Sequence, residues 1–365
     1  MKIVCTGAAG FIGSNFVHYM AGKHPDYDFV LVDKLTYAAG EAGYSWENLE
    51  KFRGDKRFRF VEADICDEEA MFDALYMGNA VINFAAESHV GRAIVKSARH
   101  IRSNILGAAN IAEVATNYHM RMIHISTDEV YGEIKTKSFD ENSPLRPQNR
   151  YASAKAAAEA LLYGYKFPPH NLDILYTRSA NNFGKYQSQE KFTHVIAESI
   201  AKGRPIPVHG RGTEVRDWLY VLDNCSAIDA VLHKGKQGEF YNISAHNEKS
   251  NADLAKLAIK HFGGSIKFVP NRPGNDARYS ISTKKIEKLG WKPEAAGKDF
   301  EKYMLETMDY YIKGYKHASN QNNSSFGPFS VEFPGIDGPL TLLDFGYVDS
   351  NGGFRRGDGK QPRSL

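Results

Sequence analysis

The turn Gly7-Ala8-Ala9-Gly10-Phe11-Ile12-Gly13 constrains this chain more than any other feature, because it lies between an apolar run, residues 2–6, and a stretch of helical periodicity. Glycines at such a junction permit a tight turn, close approach of a diphosphate to the backbone and close packing of helix on strand, while the helix N-terminus favours the anion. The arrangement predicts the first strand of a parallel sheet. Further apolar strand patterns at 29–33, 58–63, 80–85, 122–126 and 173–178 are separated mostly by helical patterns. Repeated strand-helix-strand units predict an α/β fold, a Rossmann-type doubly wound parallel sheet. After about Asn181 the pattern loosens into turn-rich segments such as Gly203-Arg204-Pro205 and His209-Gly210-Arg211-Gly212, with a later helix over 251–262. We read residues 1–180 as a nucleotide-binding Rossmann domain and 181–317 as a smaller C-terminal substrate-binding lobe, with 239–243 returning to the sheet. Residues 318–365, rich in Asn, Ser, Gly and Pro, form an extension without an assigned role. Its end, 349–365, reads as a mobile tail, and Phe326, Phe329, Phe333 and Phe345 suggest that part of it packs.

Charge and cysteine content narrow the function classes. The 46 basic and 43 acidic residues nearly balance, which argues against a nucleic-acid or membrane surface. The three cysteines, Cys5, Cys66 and Cys225, are far apart and form no C-x-x-C, so neither a disulfide framework nor a metal site is expected. A reducing cytoplasm fits, and no apolar run reaches the length of a membrane span.

The second predicted strand ends at Asp33, where a carboxylate binds ribose hydroxyls and repels a 2′-phosphate, so NAD is expected over NADP. Asp64-Ile65, after the third strand, borders the adenine in this reading, although a strand-end cap explains Asp64 almost as well. Farther along, Ser126-Thr127-Asp128-Glu129-Val130-Tyr131-Gly132 precedes Tyr151-Ala152-Ser153-Ala154-Lys155. Residues four apart share a helix face, so Lys155 is expected to sit near the Tyr151 phenol and favour phenolate, a base for alcohol oxidation. The adjacent carboxylates Asp128 and Glu129 offer a proton donor and a proton acceptor. A tyrosine packed on an alanine-rich helix, a solvated lysine and two solvated acids is the plainer alternative.

The glycine turn, Ser126-Thr127 and Tyr151-x-x-x-Lys155 together resemble the extended short-chain dehydrogenase/reductase family over roughly residues 1–315. The match is closest to the dTDP-glucose 4,6-dehydratases. It is carried by Asp33-Lys34-Leu35-Thr36-Tyr37-Ala38, Ala85-Ala86-Glu87-Ser88-His89-Val90, the 126–132 segment, Asn181-Asn182-Phe183-Gly184, Arg216-Asp217-Trp218-Leu219-Tyr220-Val221 and Arg272-Pro273-Gly274. The resemblance implies an NAD-dependent lyase. Tyr151, aided by Lys155 and Thr127, takes the C4 hydroxyl proton as hydride leaves to NAD. Glu129 then takes the C5 proton, made acidic by the new ketone, Asp128 protonates the departing C6 hydroxyl, and hydride returns to C6. Asp128 must hold its proton for that role, which an enclosed site beside Glu129 can enforce.

The resemblance further places Gly7, Gly10, Phe11, Ile12, Gly13, Asp33, Lys34, Thr36, Asp64, Ile65, Ala85, Ala86, Ser103 and Asn182 at the cofactor. It places Ser88, Asn181, Glu190, Lys191, His209, Arg216, Asn251 and Arg272 at a nucleotide-sugar substrate, with Arg216 and Arg272 gripping its diphosphate. It also implies a homodimer paired through helices over 97–118 and 152–165. Several positions depart from the family pattern. Gly91 replaces an aspartate, Asn275 and Ala277 replace a histidine and an arginine, Lys185 and Gln189 replace prolines, and 41–46 is an insertion. These leave the base and hexose open, with UDP-glucose or an N-acetylated sugar among the alternatives. A nucleotide-sugar 4-epimerase or decarboxylase, or a non-catalytic NAD-binding module, remain the competing readings.

Overall fold

The computed structural model describes residues 1–40, 44–89, 91, 93, 97–271, 276–320, 347–348 and 354–355. Seven strands form one parallel sheet: β1 (Lys2–Thr6), β2 (Asp28–Asp33), β3 (Phe58–Glu62), β4 (Ala80–Asn83), β5 (Arg121–Thr127), β6 (Asp173–Ser179) and, after the three strands given below, β10 (Phe240–Ile243). Their order is β10-β6-β5-β4-β1-β2-β3, so the sheet reverses direction beside β1, where a doubly wound fold opens a crevice. The sequence expectation of a Rossmann-type sheet is met, including the return of the chain near 239–243. The central strands are apolar because both their faces are covered. Ile3, Cys5, Leu31 and Ile82 enter one buried cluster with Phe16 and Val17, while Val4, Val30, Val81 and Met122 enter another with Leu75, Ile111 and Leu162.

Helix ends follow local chemistry. Asp67 caps the helix Glu68–Leu75 by accepting from Ala70 N, and Asn149 caps the helix Arg150–Tyr163 by accepting from Ala152 N. The helix expected over 97–118 is not regular, because a wide π-turn, Arg102–Gly107, interrupts it between Ala98–Ile101 and Ala108–Asn117. There the chain meets the loop after β3: a Cβ on Gly107 would come within 2.5 Å of the Ile65 side chain.

A three-stranded sheet forms from β7 (Asn181–Phe183), β9 (Val215–Tyr220) and β11 (Glu248–Ser250), in the order β11-β9-β7. The chain divides into two compact units. The first comprises Met1–Ser188, Val215–Lys249 and Asp276–Thr307; the second comprises Gln189–Glu214, Ser250–Asn275 and Met308–Leu365. Residues 215–249 and 276–307, read from sequence as part of the lobe, thus pack with the first unit. In the second unit, β8 (Ile206–His209) pairs in parallel with β12 (Ile266–Val269), and Ala197 packs with Tyr311, Ile312 and Tyr315. The helix expected over 251–262 runs Asn251–Phe262, capped by Ser250 through Asp253 N. In the C-terminal extension Tyr347–Val348 pairs antiparallel with Phe354–Arg355. The four phenylalanines noted above lie outside the described residues, as does most of 349–365.

Candidate active site

The glycine turn follows β1, and its geometry shows why larger residues fail there. Gly7 has φ +67°, and a Cβ on it would lie 2.5 Å from Ala85 N. A Cβ on Gly13 would lie 2.3 Å from Gly7 O, so the helix Phe11–Lys23 packs directly on the turn. Gly10 precedes that helix, and Phe11 and Ile12 begin it as half-buried packing residues. At the end of β2, Asp33 is buried; Oδ2 accepts from Ala9 N at 3.0 Å and Oδ1 from Leu35 N at 2.9 Å. Burial raises its pKa, while those two N–H groups and Lys34 hold it back. Each carboxylate oxygen retains acceptor capacity for a ribose hydroxyl.

Lys34 Nζ donates to Ser103 Oγ at 3.1 Å and lies 3.7 Å from Asp64 Oδ2, whose partner oxygen accepts from Cys66 N. Asp64 is therefore a loop cap and an ion-pair partner together. Burial raises its pKa, but the Cys66 N–H and Lys34 outweigh that, leaving it below the ordinary value. The cleft so formed is lined by Gly7, Gly10, Asp33, Lys34, Thr36, Ile65, Ala85, Ala86 and Ser103, among others. It brings together most of the residues read from sequence as cofactor ligands. These features fit a dinucleotide: a turn that only glycines allow, a carboxylate at the ribose position and an apolar wall at Ile65. Asn182, also read from sequence as a cofactor residue, lies on β7 and is not among those lining residues; its Nδ2 donates to Ala180 O at 2.9 Å, and its buried Oδ1 has no hydrogen-bond partner among the described residues.

The catalytic candidates gather where β5 ends, at the carboxyl edge of the sheet. Thr127 caps a short 3-10 turn, Asp128–Tyr131, by accepting from Glu129 N at 3.3 Å, and its hydroxyl donates to Asp128 Oδ1 at 3.3 Å. Asp128 is almost wholly buried, and its Oδ2 has no hydrogen-bond partner among the described residues. Burial, then the charges of Glu129 and Asp217, push its pKa well above the ordinary carboxylate range; Arg216 and the Thr127 hydroxyl only partly oppose them. Asp128 therefore holds a proton where an isolated aspartate would have lost it. Glu129 is anchored differently: its Oε2 accepts from Asn149 Nδ2 at 2.8 Å, a donor that favours the carboxylate. The adjacent acids thus meet different surroundings, Asp128 an enclosed one that raises its pKa and Glu129 a side-chain amide donor.

Tyr151 and Lys155 lie on the helix Arg150–Tyr163, but the expectation that Lys155 draws Tyr151 to phenolate is corrected. Lys155 Nζ donates to Ile125 O at 2.6 Å and meets His124 Nε2 at 3.2 Å, and no hydrogen bond joins it to Tyr151 among the described residues. Burial, followed by the charges of Glu129 and Asp128 and by Tyr37, pushes the phenol above its ordinary value. A shared helix face is not enough when the ammonium points at the strand. Lys155 itself is pulled down to about 8 by burial, against the pull of Glu159.

The substrate candidates divide between the two units. In the first, Ser88 is half-buried in the loop after β4, and Asn181 Oδ1 is buried with no hydrogen-bond partner among the described residues. Arg216 Nη1 donates to Val215 O, and its guanidinium lies 4.7 Å from the Tyr279 ring centre. In the second unit, Glu190 and Lys191 lie 3.8 Å apart, His209 Nδ1 meets Pro270 O at 2.9 Å, and Asn251 opens its helix. Arg272 and Asn275 lie outside the described residues.

Sequence reading missed several residues. Asn149 was findable, since an asparagine before an alanine-rich helix is an N-cap signature. Asp217, which bears on Asp128, and Tyr279, whose hydroxyl donates to Asp276, carry no local signal of their own. The same is true of Asn104, whose side-chain amide accepts from Glu87 N at 2.8 Å and donates to Glu87 O at 3.0 Å.

Comparison with known proteins agrees with this geometry. The family described as GDP-mannose 4,6 dehydratase matches residues 4–304. The Low-salt glycan biosynthesis protein Agl12 of Haloferax volcanii is 41% identical over 316 residues, covering 86% of this chain and 99% of its own. The dTDP-glucose 4,6-dehydratase of Streptomyces niveus is 39% identical, covering 85% and 93%. Among solved structures, the dTDP-glucose 4,6-dehydratase of Streptomyces venezuelae with NAD bound superposes with a TM-score of 0.81 at 35% identity, covering 86% of this chain and 97% of that one. With a family match across most of its length, the chain belongs to the GDP-mannose 4,6 dehydratase family, within the extended short-chain dehydrogenases/reductases.

Proposed function

We infer that this chain is an NAD-dependent nucleoside-diphosphate-hexose 4,6-dehydratase, with dTDP-glucose the first substrate to test. The observation that carries the reading is the pair at the end of β5, a buried Asp128 disposed to keep its proton beside a Glu129 whose Oε2 accepts from Asn149 Nδ2. NAD supplies the hydride acceptor for C4 and the hydride donor for C6, held by Gly7, Gly10, Asp33, Ser103 and Asn182. To take the C4 hydroxyl proton Tyr151 must be the phenolate, a state that burial disfavours; the positive nicotinamide ring of bound NAD and the Lys155 ammonium are the charges that would draw its proton off, with Thr127 supporting its oxygen. With C4 a ketone, Glu129 removes the C5 proton and Asp128 gives its carboxyl proton to the departing C6 hydroxyl. An epimerase also oxidises C4, yet it has no use for a protonated acid beside the base.

Ser88, Asn181 and Arg216 of the first unit are the groups we assign to the nucleotide sugar, Arg216 to its diphosphate; Glu190, Lys191, His209, Asn251 and Arg272 of the second unit stay candidates that the family resemblance adds. Two copies associate through the neighbouring helices that carry Ile101, Leu106, Leu161 and Tyr163, all exposed large apolar side chains in the single chain. We place the enzyme in the cytoplasm, where its three free cysteines stay reduced. Incubation with a panel of nucleoside-diphosphate sugars, followed by mass spectrometry for loss of water and a test for a 4-keto product, decides reaction and substrate together. Asp128→Asn with Glu129→Gln is expected to permit C4 oxidation and block water loss; normal product from that double variant sinks the mechanism.

A further inference from the structure

A row of polar side chains crosses the sheet beneath the site. Thr6 on β1 is the register partner of Asn83 on β4, and Asn83 is the register partner of His124 on β5. All three are essentially inaccessible, beside buried apolar residues such as Ile3, Val4, Val81, Ile82, Met122 and Ile123 on the same strands. Thr6 Oγ1 lies 2.8 Å from Asn83 Oδ1, Asn83 Nδ2 lies 3.3 Å from His124 Nδ1, and His124 Nε2 lies 3.2 Å from Lys155 Nζ. A buried polar row that packing does not require, ending on a lysine read as catalytic, calls for a function.

We propose that His124 is a positioning residue for Lys155, its bare Nε2 accepting one ammonium proton and passing the hydrogen-bond demand to Asn83 and Thr6, so that the ammonium stays fixed between β5 and the helix that carries Tyr151. The inference rests on the reading of Tyr151 and Lys155 given above. Its logic is donor counting. Burial and the Lys155 charge keep His124 neutral, so its ring has one N–H and one bare nitrogen. When Lys155 is an ammonium, Nε2 must be bare and Nδ1 must carry the proton. Nδ1–H then needs an acceptor, which Asn83 provides by turning its amide end for end, with Nδ2 donating to Thr6 Oγ1. When Lys155 is the neutral amine, the string reverses: Asn83 Nδ2 donates to Nδ1, and Nε2–H donates to the amine. Each charge state of Lys155 thus has its own arrangement of the string, with Nδ1 and Nε2 of His124 both paired in each.

The other groups facing this pair do not replace the imidazole. Glu159 supports the Lys155 charge from the next helical turn, but its carboxylate is already paired with Arg178 at 2.7 Å. Tyr176, its ring centre 6.4 Å from that of His124, has a phenol pushed up by burial and is neutral, as is Tyr151. Ile125 O is the one other acceptor that Lys155 Nζ reaches among the described residues.

The test uses the full-length enzyme. The upper limb of the kcat–pH profile is expected where Lys155 loses its proton, at about 8. His124→Met removes the acceptor while keeping bulk. It is expected to lower kcat roughly 10-fold and move that limb down by about one pH unit, with the substrate KM within about 2-fold. His124→Gln, whose amide oxygen replaces Nε2, is expected to restore the limb. In wild-type enzyme with 15N-labelled histidine, His124 is expected to carry its proton on Nδ1 below the limb and on Nε2 above it, a measurement that stands even if His124→Met does not fold. An Nε2–H tautomer throughout, or a folded His124→Met with an unshifted limb, overturns the proposal. If Lys155→Met is inactive in the same assays, such a result leaves the Tyr151 and Lys155 reading intact; an active Lys155→Met overturns that reading instead.

Discussion

The two acids that follow β5 differ in what surrounds them, and single substitutions expose the difference. Asp128 has a folded-state pKa raised above its unfolded value by burial, Glu129 and Asp217, so the folded chain holds more protons than the unfolded chain above the ordinary carboxylate range. The stability slope with pH is then negative: this residue costs progressively more stability as pH rises through that window. Asp128→Asn removes the charge problem. We expect it to raise the melting temperature more at pH 8 than at pH 5 while abolishing water loss; an equal gain at both pH values would place Asp128 in the ionised state. Asn149 serves two masters, capping its helix through Oδ1 and holding Glu129 through Nδ2. Asn149→Asp keeps the cap but sets a like charge against Glu129, so turnover is expected to fall roughly 10-fold with little change in melting temperature. Asn149→Ala loses both and is expected to lose about 1 kcal/mol in addition. Wild-type turnover in both variants would separate Glu129 from Asn149.

At the scale of elements, the glycine turn and the strand edges decide what the site can hold. Gly7→Ala forces a left-handed φ on a residue with a side chain and drives its Cβ toward the Ala85 backbone, which cannot yield as a side-chain tip can. NAD affinity, followed by fluorescence titration, is expected to drop at least about 10-fold, since the strain alone is about 1–2 kcal/mol. An unchanged affinity would mean that the turn does not set the cofactor's approach. Much of this level was legible in the sequence, because apolar strands and glycine-bearing junctions are local signals. The helix Asn251–Phe262 agrees to the residue, since Ser250 and Gly263 bracket it with their own cap chemistry. The break at Arg102–Gly107 was not legible, because its cause lies on another segment, at Ile65. His124 and Asn83 were silent for the same reason: each interrupts an apolar strand as any polar residue might, and only the lateral register makes them neighbours. The direction of Lys155 was misread because four-residue spacing fixes a face and not a partner.

For the whole molecule, the exposed apolar side chains Ile101, Leu106 and Leu161 set an expectation for association. Leu106→Glu combined with Leu161→Glu is expected to convert a dimer into a monomer in analytical ultracentrifugation, with the fold retained by circular dichroism. A wild-type enzyme already monomeric at micromolar concentration would remove the dimer from the account. The chain also passes between its two units at 188/189, 214/215, 249/250, 275/276 and 307/308. No single cut releases either unit whole. During synthesis the second unit lacks a buried face until the helix beginning at Phe300 has emerged, because Tyr311, Ile312 and Tyr315 belong to its core. A nascent chain stalled before that point therefore presents an unfinished lobe to chaperones and proteases, and quality control reads the last fifth of the protein to judge a unit begun at Gln189.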